Sequence, residues 1–259
     1  MMRTPLTNKK VILTGGSGGI GKLLAAEFIR EGADVSLMSR TDGGVAEAHH
    51  LKADLSTPDG IFAASEIVSR EDPDILLNLA GVQYFGPIEN QSLSEMSEGY
   101  MINLLAPVAL CGAALPGMRR RDNGQIVNVG SIFGSIAFAH FATYSSAKAG
   151  LRAFSEALRR ELVDTNIAVT HIAPRAVRTG LLTSKMQKFV ELAGMHVDEP
   201  IATAKRIMTA VKTRQKDVCI GFPECLYVRL NALFPRVVDA ALAGNDRRAK
   251  ALFASGVIG

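Results

Sequence analysis

The sequence has few of the features that hold metals, crosslink chains or cross membranes. Its three cysteines (Cys111, Cys219 and Cys225) form no CxxC pair and leave an odd count, which favours free thiols in a reducing, cytoplasmic setting. The five histidines show neither HExxH nor another metal-ligand spacing, so we expect no metal site. No apolar run approaches the roughly 20 residues that span a bilayer. The N-terminal apolar stretch is followed at once by glycines, which indicates a buried strand and not a signal peptide.

The composition is that of a globular protein with an uneven charge. Hydrophobic residues make up 47% and charged residues 21% of 259 residues, enough for one large α/β domain or two small ones. From residue 204 onward, ten basic and four acidic residues give +6, and the rest of the chain is −2. A basic tail of this kind can bind nucleic acid, anionic lipid or an acidic carrier protein. The alternative is a solvent-exposed surface without a partner. Since its basic residues are not interleaved with aromatic residues and no nucleic-acid motif accompanies them, we expect no nucleic-acid partner.

Short apolar runs alternate with longer helical patterns along the whole chain. Several of the runs are continuously apolar, as in strands that are covered on both faces. This alternation, without a linker, predicts one doubly wound parallel sheet of about seven strands, flanked by helices on both faces, in a single domain over residues 1–259. The predicted strands lie at 10–15, 34–39, 49–55, 74–81, 124–131, 167–174 and 217–222. The predicted helices lie at 20–31, 59–70, 93–118, 144–164 and 200–213.

A glycine-rich turn follows the first predicted strand in "VILTGGSGGIG". Backbone amides at the start of the next helix, together with the helix dipole, form an anion site that suits a dinucleotide. Two spacings fit, GxGxxG with Gly16, Gly18 and Gly21, and TGxxxGxG with Gly15, Gly19 and Gly21. The sequence leaves open which glycine has which role.

The end of the second predicted strand indicates which dinucleotide is bound. An NAD site has an acidic residue about 20 residues after the turn. Here Ser39 and Arg40 occupy that place, and the first acid is Asp42. An arginine suits a 2′-phosphate, so the sequence favours NADP over NAD. The alternative is a surface arginine without a ligand.

Tyr144 and Lys148 lie four residues apart in "ATYSSAKAG", on one face of a predicted helix. A phenol beside an ammonium is either an ordinary hydrogen-bonded pair or a tyrosine whose pKa is lowered for proton transfer. The spacing alone leaves both open.

Taken together, these segments resemble the short-chain dehydrogenase/reductase family over about residues 8–180. The matching pieces are "TGGSGGIG" (14–21), "NLAG" (78–81), "INLLAP" (102–107), Ser131 and "YSSAK" (144–148). The resemblance implies a Rossmann-type fold and an NADP(H)-dependent oxidoreductase that interconverts a ketone or aldehyde and an alcohol by hydride transfer.

The resemblance also implies a catalytic tetrad of Asn103, Ser131, Tyr144 and Lys148. Tyr144 would be the general acid in reduction and the base in oxidation, and Lys148 would lower its pKa and hold the nicotinamide ribose. Ser131 would hydrogen-bond the carbonyl oxygen, with Ser135 as a nearby competitor. Asn103 would hold a water that connects Lys148 to solvent. An ammonium and an oxidised nicotinamide both stabilise a phenolate, so these assignments are chemically consistent.

Further matches concern the cofactor. Asp54 would accept from the adenine amino group, although it could instead be a helix N-cap. Val177 would meet the nicotinamide amide, and Thr179 the phosphates. The expected cofactor-binding residues are Gly15, Ser17, Gly19, Ile20, Gly21, Ser39, Arg40, Asp54, Leu55, Asn78, Ala80, Gly81, Tyr144, Lys148, Pro174, Val177 and Thr179.

The chain departs from the family pattern at two positions. Leu79 replaces a second asparagine, which puts one strand-stabilising hydrogen bond in doubt. Arg175 stands where glycine is usual, so we expect a backbone without a positive φ there and a charge near the mouth of the site.

The substrate side is expected in two segments. Residues 180–199 occupy the place of a substrate lid, and Leu182, Met186, Phe189 and Leu192 or Met195 would form an apolar wall for an apolar carbonyl compound. The variable C-terminal segment, 223–259, has an apolar stripe within 225–244. We expect the stripe to pack on the substrate cleft; an oligomer interface and a peripheral membrane contact are the alternatives.

Two other functions remain open at this point. One is a 3-oxoacyl-thioester reductase whose acidic acyl carrier protein meets Arg119–Arg121 or the basic tail. The other is a non-catalytic NADP-sensing regulatory protein, which a broken tetrad would mark; all four positions are intact here. The family resemblance further implies a homodimer or homotetramer formed through the helices at 93–118 and 144–164.

Overall fold

Seven parallel strands form one twisted sheet. The computed structural model describes residues 5–42 and 44–254, so the ends of the expected domain and of the C-terminal segment, 1–4 and 255–259, lie outside the described residues. The strands are β1 (Lys10–Thr14), β2 (Asp34–Ser39), β3 (His49–Lys52), β4 (Ile75–Asn78), β5 (Gly124–Val129), β6 (Ile167–Pro174) and β7 (Asp217–Ile220). Their order across the sheet is β3-β2-β1-β4-β5-β6-β7, which confirms the predicted doubly wound, Rossmann-like topology.

Helices cover both faces of the sheet. They are α1 (Gly19–Arg30), α2 (Pro58–Glu71), α3 (Leu93–Tyr100), α4 (Ala106–Arg120), α5 (Ala142–Glu161), α6 (Ser184–Leu192), α7 (Pro200–Lys212), α8 (Glu224–Leu233) and α9 (Pro235–Ala254). Apolar residues of α1 and α7, such as Phe28 and Ile207, pack on one face. Apolar residues of α2, α4 and α5, such as Val68, Leu110 and Leu158, pack on the other face.

The predicted helix at 93–118 consists of three helical pieces. A five-residue π-helical turn, Met101–Leu105, separates α3 from α4, and Pro107 lies in the first turn of α4. A π turn accommodates an extra residue, so it changes the direction of the side chains that follow it. The sequence did not reveal this turn because its residues keep the apolar pattern of an ordinary helix.

We expected no apolar run long enough to cross a bilayer, and that expectation was wrong for this same region. Among the described residues, the helical run Leu93–Arg120 is long and apolar enough to cross a bilayer by length and composition. Half of its apolar stretch is buried inside the fold, and the α4 part packs against α2 and the sheet. Its hydrophobicity is therefore that of a central core helix.

The expectation of three free thiols was also wrong. Cys219 and Cys225 form a disulfide with their Cα atoms 5.7 Å apart, because the chain turns back between β7 and α8. Cys111 is free and buried, and burial raises the pKa of its thiol to about 12. With two of the three cysteines paired, the cysteine count gives no support to a reducing compartment.

The apolar stripe of the C-terminal segment does not pack on the substrate cleft as expected. The helix breaks before Pro235 into α8 and α9, and Leu226, Leu230, Leu233 and Val237 are exposed. The anchors of this segment are instead on the opposite side of α8 and in the second half of α9, where Ala249 is fully buried.

Candidate active site

Two adjoining cavities lie at the carboxyl ends of the central strands. A cleft of about 630 Å³ extends over the glycine-rich turn, and a pocket of about 120 Å³ contains Ser131, Tyr144 and Lys148. The residues that line both cavities are Ile20, Leu79, Gly81, Thr179 and Leu181. In open α/β sheets, this edge is where ligands bind. A ligand in the cleft can therefore reach the pocket directly.

The structure gives the glycines of the turn different roles. Gly15 has a φ of +74°, and a Cβ there would lie 2.8 Å from Ala80 Cα. A Cβ on Gly21 would lie 2.3 Å from the Gly15 carbonyl oxygen. These two glycines permit the tight packing of strand, turn and helix. Gly18 and Gly19 have room for a Cβ on the protein side and line the cleft, so their lack of a side chain allows a ligand to approach the backbone closely.

Most of the expected cofactor-binding residues line these cavities. Those in the cleft are Gly15, Ser17, Gly19, Ile20, Gly21, Ser39, Arg40, Asp54, Leu55, Ala80, Gly81 and Thr179, and those in the pocket include Tyr144, Lys148, Pro174 and Val177. Asn78 lies elsewhere. Its side chain is 2% exposed, and its Nδ2 donates to Asn128 Oδ1 at 2.8 Å below the cleft. The Asn78 side chain thus connects β4 to β5 and does not face a ligand.

The end of β4 is held despite the leucine at position 79. The Thr14 hydroxyl oxygen accepts hydrogen bonds from the backbone N–H groups of Leu79 and Ala80, both at 3.1 Å. The Leu79 side chain packs against the apolar core. The departure from the family pattern therefore leaves this strand end in place.

Ser39, Arg40 and Asp54 lie at the adenosine end of the cleft. The Ser39 hydroxyl donates to the Thr41 carbonyl oxygen at 2.6 Å, which occupies the donor that we expected for a phosphate. The exposed Arg40 guanidinium makes no hydrogen bond within the described part of the chain. Hydrogen bonds from Ser56 to Asp54 Oδ1, assisted by the charge of Arg40, lower the pKa of Asp54. Thr57, and not Asp54, caps α2.

Tyr144 and Lys148 lie in the first two turns of α5 and face the pocket. Lys148 is 4% exposed; its Nζ donates to the Val129 carbonyl oxygen at 3.1 Å and lies 5.8 Å from the centre of the Tyr144 ring. Ser131 follows β5; its Oγ accepts a hydrogen bond from Phe133 N at 3.1 Å, and its side chain is near enough to Tyr144 to lower the pKa of that phenol. The structure thus brings Ser131, Tyr144 and Lys148 together, as the sequence predicts.

Glycine sets the distance between the Ser131 turn and α5. A Cβ on Gly134 would lie 2.7 Å from the carbonyl carbon and oxygen of Lys148. The turn therefore rests directly on the helix backbone.

Burial dominates the protonation of this pair. It raises the pKa of Tyr144 above its usual value, and the nearby Ser131 side chain opposes that shift only in part. It lowers the pKa of Lys148 to about 8. The expected lowering of the Tyr144 pKa is therefore not found in the protein alone, because burial of the phenol disfavours its charged form.

Asn103 lies in the π-helical turn, beside the pocket. Its Nδ2 donates to the carbonyl oxygens of Val82 at 2.7 Å and Gly99 at 2.9 Å, and its Oδ1 accepts from Val82 N at 3.3 Å. A Cβ on Gly81 would lie 3.0 Å from Asn103 Oδ1 and 3.7 Å from Lys148 Nζ. The Asn103 amide therefore fixes the loop after β4 next to Lys148, and both of its donors are used for this.

Arg175 does not present a free charge at the mouth of the site. Its guanidinium pairs with Asp198 at 2.7 Å and with Glu224 at 2.8 Å, and the side chain is largely buried. Its backbone has no positive φ, as expected for a non-glycine residue. The arginine connects β6, the segment before α7 and the start of α8, so its charge is neutralised inside the protein.

Aromatic residues form a wall of which the sequence predicted only Phe189. Phe133 packs edge-on against Tyr144 with ring centres 6.2 Å apart, and it contacts Phe141 at 5.0 Å. Phe141 lies 5.9 Å from Phe189 of the predicted lid. The density of phenylalanine in "FGSIAFAHF" (133–141) was the available signal. Of the expected lid residues, Met186 and Phe189 are buried, whereas Leu192 is exposed.

Known proteins resemble this chain in sequence and in fold. The family model for short chain dehydrogenases matches residues 9–189. A ketoacyl reductase, HetN, from Nostoc sp. is 32% identical over 84% of this chain and 80% of that protein. Dehydrogenase/reductase SDR family member 7B of Bos taurus is 31% identical over 95% of this chain and 84% of its own length. A short-chain dehydrogenase structure from Streptomyces avermitilis has a TM-score of 0.76 at 25% identity, covering 95% of this chain and 99% of that one.

Proposed function

Because the chain belongs to the short-chain dehydrogenase family and is thus an oxidoreductase, we propose that it reduces an apolar ketone or aldehyde to an alcohol with NADPH. The observation that carries this proposal is the continuity of the two cavities. The glycine-lined cleft opens into the pocket that contains Ser131, Tyr144 and Lys148.

The residues of the cleft fit a dinucleotide. Family members use NAD or NADP, and the lack of a side chain at Gly18, Gly19 and Gly81 leaves a concave path from the turn to Lys148. Arg40 at the far end supports a 2′-phosphate, since it has no hydrogen-bond partner among the described residues and suits that group. When bound, the nicotinamide supplies the hydride.

The side chains of the pocket supply the proton and hold the carbonyl group. Ser131 and Tyr144 donate hydrogen bonds to the carbonyl oxygen, where negative charge develops during reduction. Tyr144 then gives its proton to that oxygen, and the ammonium of Lys148 stabilises the resulting phenolate. Lys148 is buried and Ser131 and Tyr144 are half-buried, which lowers the local dielectric and strengthens these electrostatic interactions.

The pocket supports an apolar substrate. Its lining includes Phe133, Phe141, Leu182, Met186 and Phe189, and the charge of Arg175 is neutralised by its two carboxylate partners. A volume of about 120 Å³ is smaller than that of most ligand sites. An extended substrate would therefore require α6 to move.

A 3-oxoacyl thioester is the second candidate substrate, and the name of the Nostoc relative favours it. Of the two surfaces that we expected for an acidic carrier, we favour the basic tail, part of which lies beside the lid. Arg119–Arg121 lie at the end of α4, roughly 22 Å along that helix from its start near Asn103, and Arg121 pairs with Asp72 there.

A substrate panel tests this proposal. We expect NADPH oxidation, followed by nicotinamide absorbance, with apolar ketones or aldehydes and less with polar sugars of the same reactivity. Adding 3-oxoacyl thioesters, free and on acyl carrier protein, separates the second candidate from the first. If the purified enzyme oxidises NADPH with none of these compounds, the proposed reaction is wrong.

The pH dependence of the reaction should report Lys148. Its pKa is about 8, so its charge is present below pH 8 and is lost as the pH rises through that value. We expect kcat/KM for carbonyl reduction to fall above about pH 8, because a neutral amine no longer stabilises the phenolate. Initial rates across a pH series at fixed ionic strength measure this. A profile that stays flat until about pH 10, where tyrosine ionises, would exclude Lys148 as the titrating group.

We also propose a homodimer or homotetramer formed through α3, α4 and α5. Support comes from apolar side chains that this helical region leaves exposed, Leu93 of α3 and Leu105 of the π-helical turn among them. Such residues favour burial against a second copy.

A further inference from the structure

The region around α8 exposes an unusual number of large apolar side chains. We define the α8 face as Phe222, Leu226, Tyr227, Leu230, Leu233, Phe234 and Val237. Each is exposed, with Phe222 at 78%, Leu233 at 71% and Val237 at 67%. Single exposed hydrophobic residues are ordinary, but a contiguous group of seven within sixteen residues marks an interaction surface.

The orientation of the α8 face is fixed by the opposite side of the helix. Leu226, Leu230 and Leu233 follow the spacing i, i+4, i+7 on the outer side, and Glu224, Val228 and Asn231 repeat that spacing on the inner side.

Each inner residue has a definite contact. Glu224 pairs with Arg175 at 2.8 Å, Asn231 Nδ2 donates to the Ser135 carbonyl oxygen at 2.9 Å, and Val228 packs against the aromatic cluster. The Cys219–Cys225 disulfide ties the first turn of α8 to β7. The leucines therefore point outward because the polar and covalent anchors are inside.

The charges at the α8 face are mainly positive. Arg229 and Arg236 are exposed within it, whereas Glu224 is turned inward to Arg175. Asp239 is the exposed acid that follows. Further along α9, Arg247, Arg248 and Lys250 are exposed as well. An apolar helix face that is bordered by cations suits an anionic lipid surface.

We propose that the α8 face binds peripherally to anionic phospholipid bilayers. The leucines and phenylalanines would enter the acyl boundary, Tyr227 would lie at the headgroup level, and Arg229 and Arg236 would meet lipid phosphates. A second copy of the chain fits less well. In a twofold contact the same patch meets itself, so four arginines would come together with only the two copies of Asp239 to balance them.

Vesicle binding by the full-length protein tests the proposal. We expect co-sedimentation with vesicles of phosphatidylcholine and phosphatidylglycerol, little with phosphatidylcholine alone, and weaker binding at high salt. The double variant Leu230→Asp/Leu233→Asp should lose at least roughly tenfold in vesicle affinity. Arg229→Glu/Arg236→Glu should lose at least about fivefold per position on anionic vesicles.

The matched control is Phe62→Asp. Phe62 is 67% exposed on α2, away from the α8 face, and this change should leave vesicle binding as it is. Thermal unfolding and NADPH binding verify that each variant is folded. Absence of wild-type binding to anionic vesicles, or equal binding by the leucine variant, would overturn the proposal. So would a change from oligomer to monomer in light scattering without a change in vesicle binding, because the α8 face would then be an interface between copies.

Discussion

Replacing Tyr144 with phenylalanine should lower kcat for carbonyl reduction by a factor of roughly 100 to 10,000, the usual contribution of a general acid. The change removes one hydroxyl group and keeps the ring, which packs edge-on against Phe133. The fold and the cleft should therefore remain intact. Steady-state rates, together with a fluorescence titration of NADPH, separate the loss of chemistry from a loss of binding.

Tyr227→Phe is the matched control for this experiment. It removes the same hydroxyl from an exposed residue of α8 that does not line the pocket, so turnover should be unchanged. If Tyr144→Phe retains the wild-type rate, another group donates the proton. If it loses NADPH affinity to the same extent as turnover, Tyr144 serves to hold the cofactor and the proton transfer is unsupported.

Replacing Arg40 with aspartate should reverse the preference for the dinucleotide. The variant loses a cation that would pair with the 2′-phosphate and places a carboxylate near that group and near Asp54. We expect kcat/KM with NADPH to fall roughly 10- to 100-fold, the equivalent of one charge-assisted hydrogen bond. The value for NADH should stay level or rise, because aspartate accepts from a ribose hydroxyl.

Arg70→Asp provides the same change of charge on α2, outside the lining of the cleft. It should alter neither value, so it separates a local effect from a general effect of net charge. An NADPH-to-NADH ratio that is unchanged in Arg40→Asp would remove this arginine from the 2′-phosphate site. The enzyme would then depend on other residues of the cleft for any preference.

The sheet was readable from the sequence because its strands are buried on both faces. Runs such as "DVSLMS" and "IAVTHIAP" are largely apolar throughout, so they indicate strands without an alternation of apolar and polar residues. The first coincides with β2 and the second with β6, residue for residue. The π turn before α4 left no trace, since an inserted residue hardly disturbs an apolar helix. Likewise, the disulfide depends on a chain reversal between Cys219 and Cys225, and the number of cysteines in the sequence does not reveal that reversal.

The candidate site was predictable where chemistry depends on residue type, and less so where it depends on packing. A tyrosine and a lysine one turn apart left two interpretations open, and the family motifs, with Ser131 upstream, favoured proton transfer. The wall of Phe133, Phe141 and Phe189 assembles from separate segments, so the dense phenylalanines of residues 133–141 show only part of it and not where it packs. The direction of the α8 stripe was mistaken for a similar reason. Periodicity shows that a helix has two faces, and tertiary contacts such as the Arg175–Glu224 pair and the Cys219–Cys225 disulfide determine which of them is inside.

The contact of Gly134 with the backbone of Lys148 has a consequence for anyone who redesigns this enzyme. The Ser131 turn meets α5 where one main chain rests on another, with no side chain between. The aromatic side chains around the substrate pocket are not part of that contact. New substrate specificities can therefore be sought by changing Phe133 or Phe141, whereas a single added methyl group at position 134 would spread the reacting groups apart in every such design.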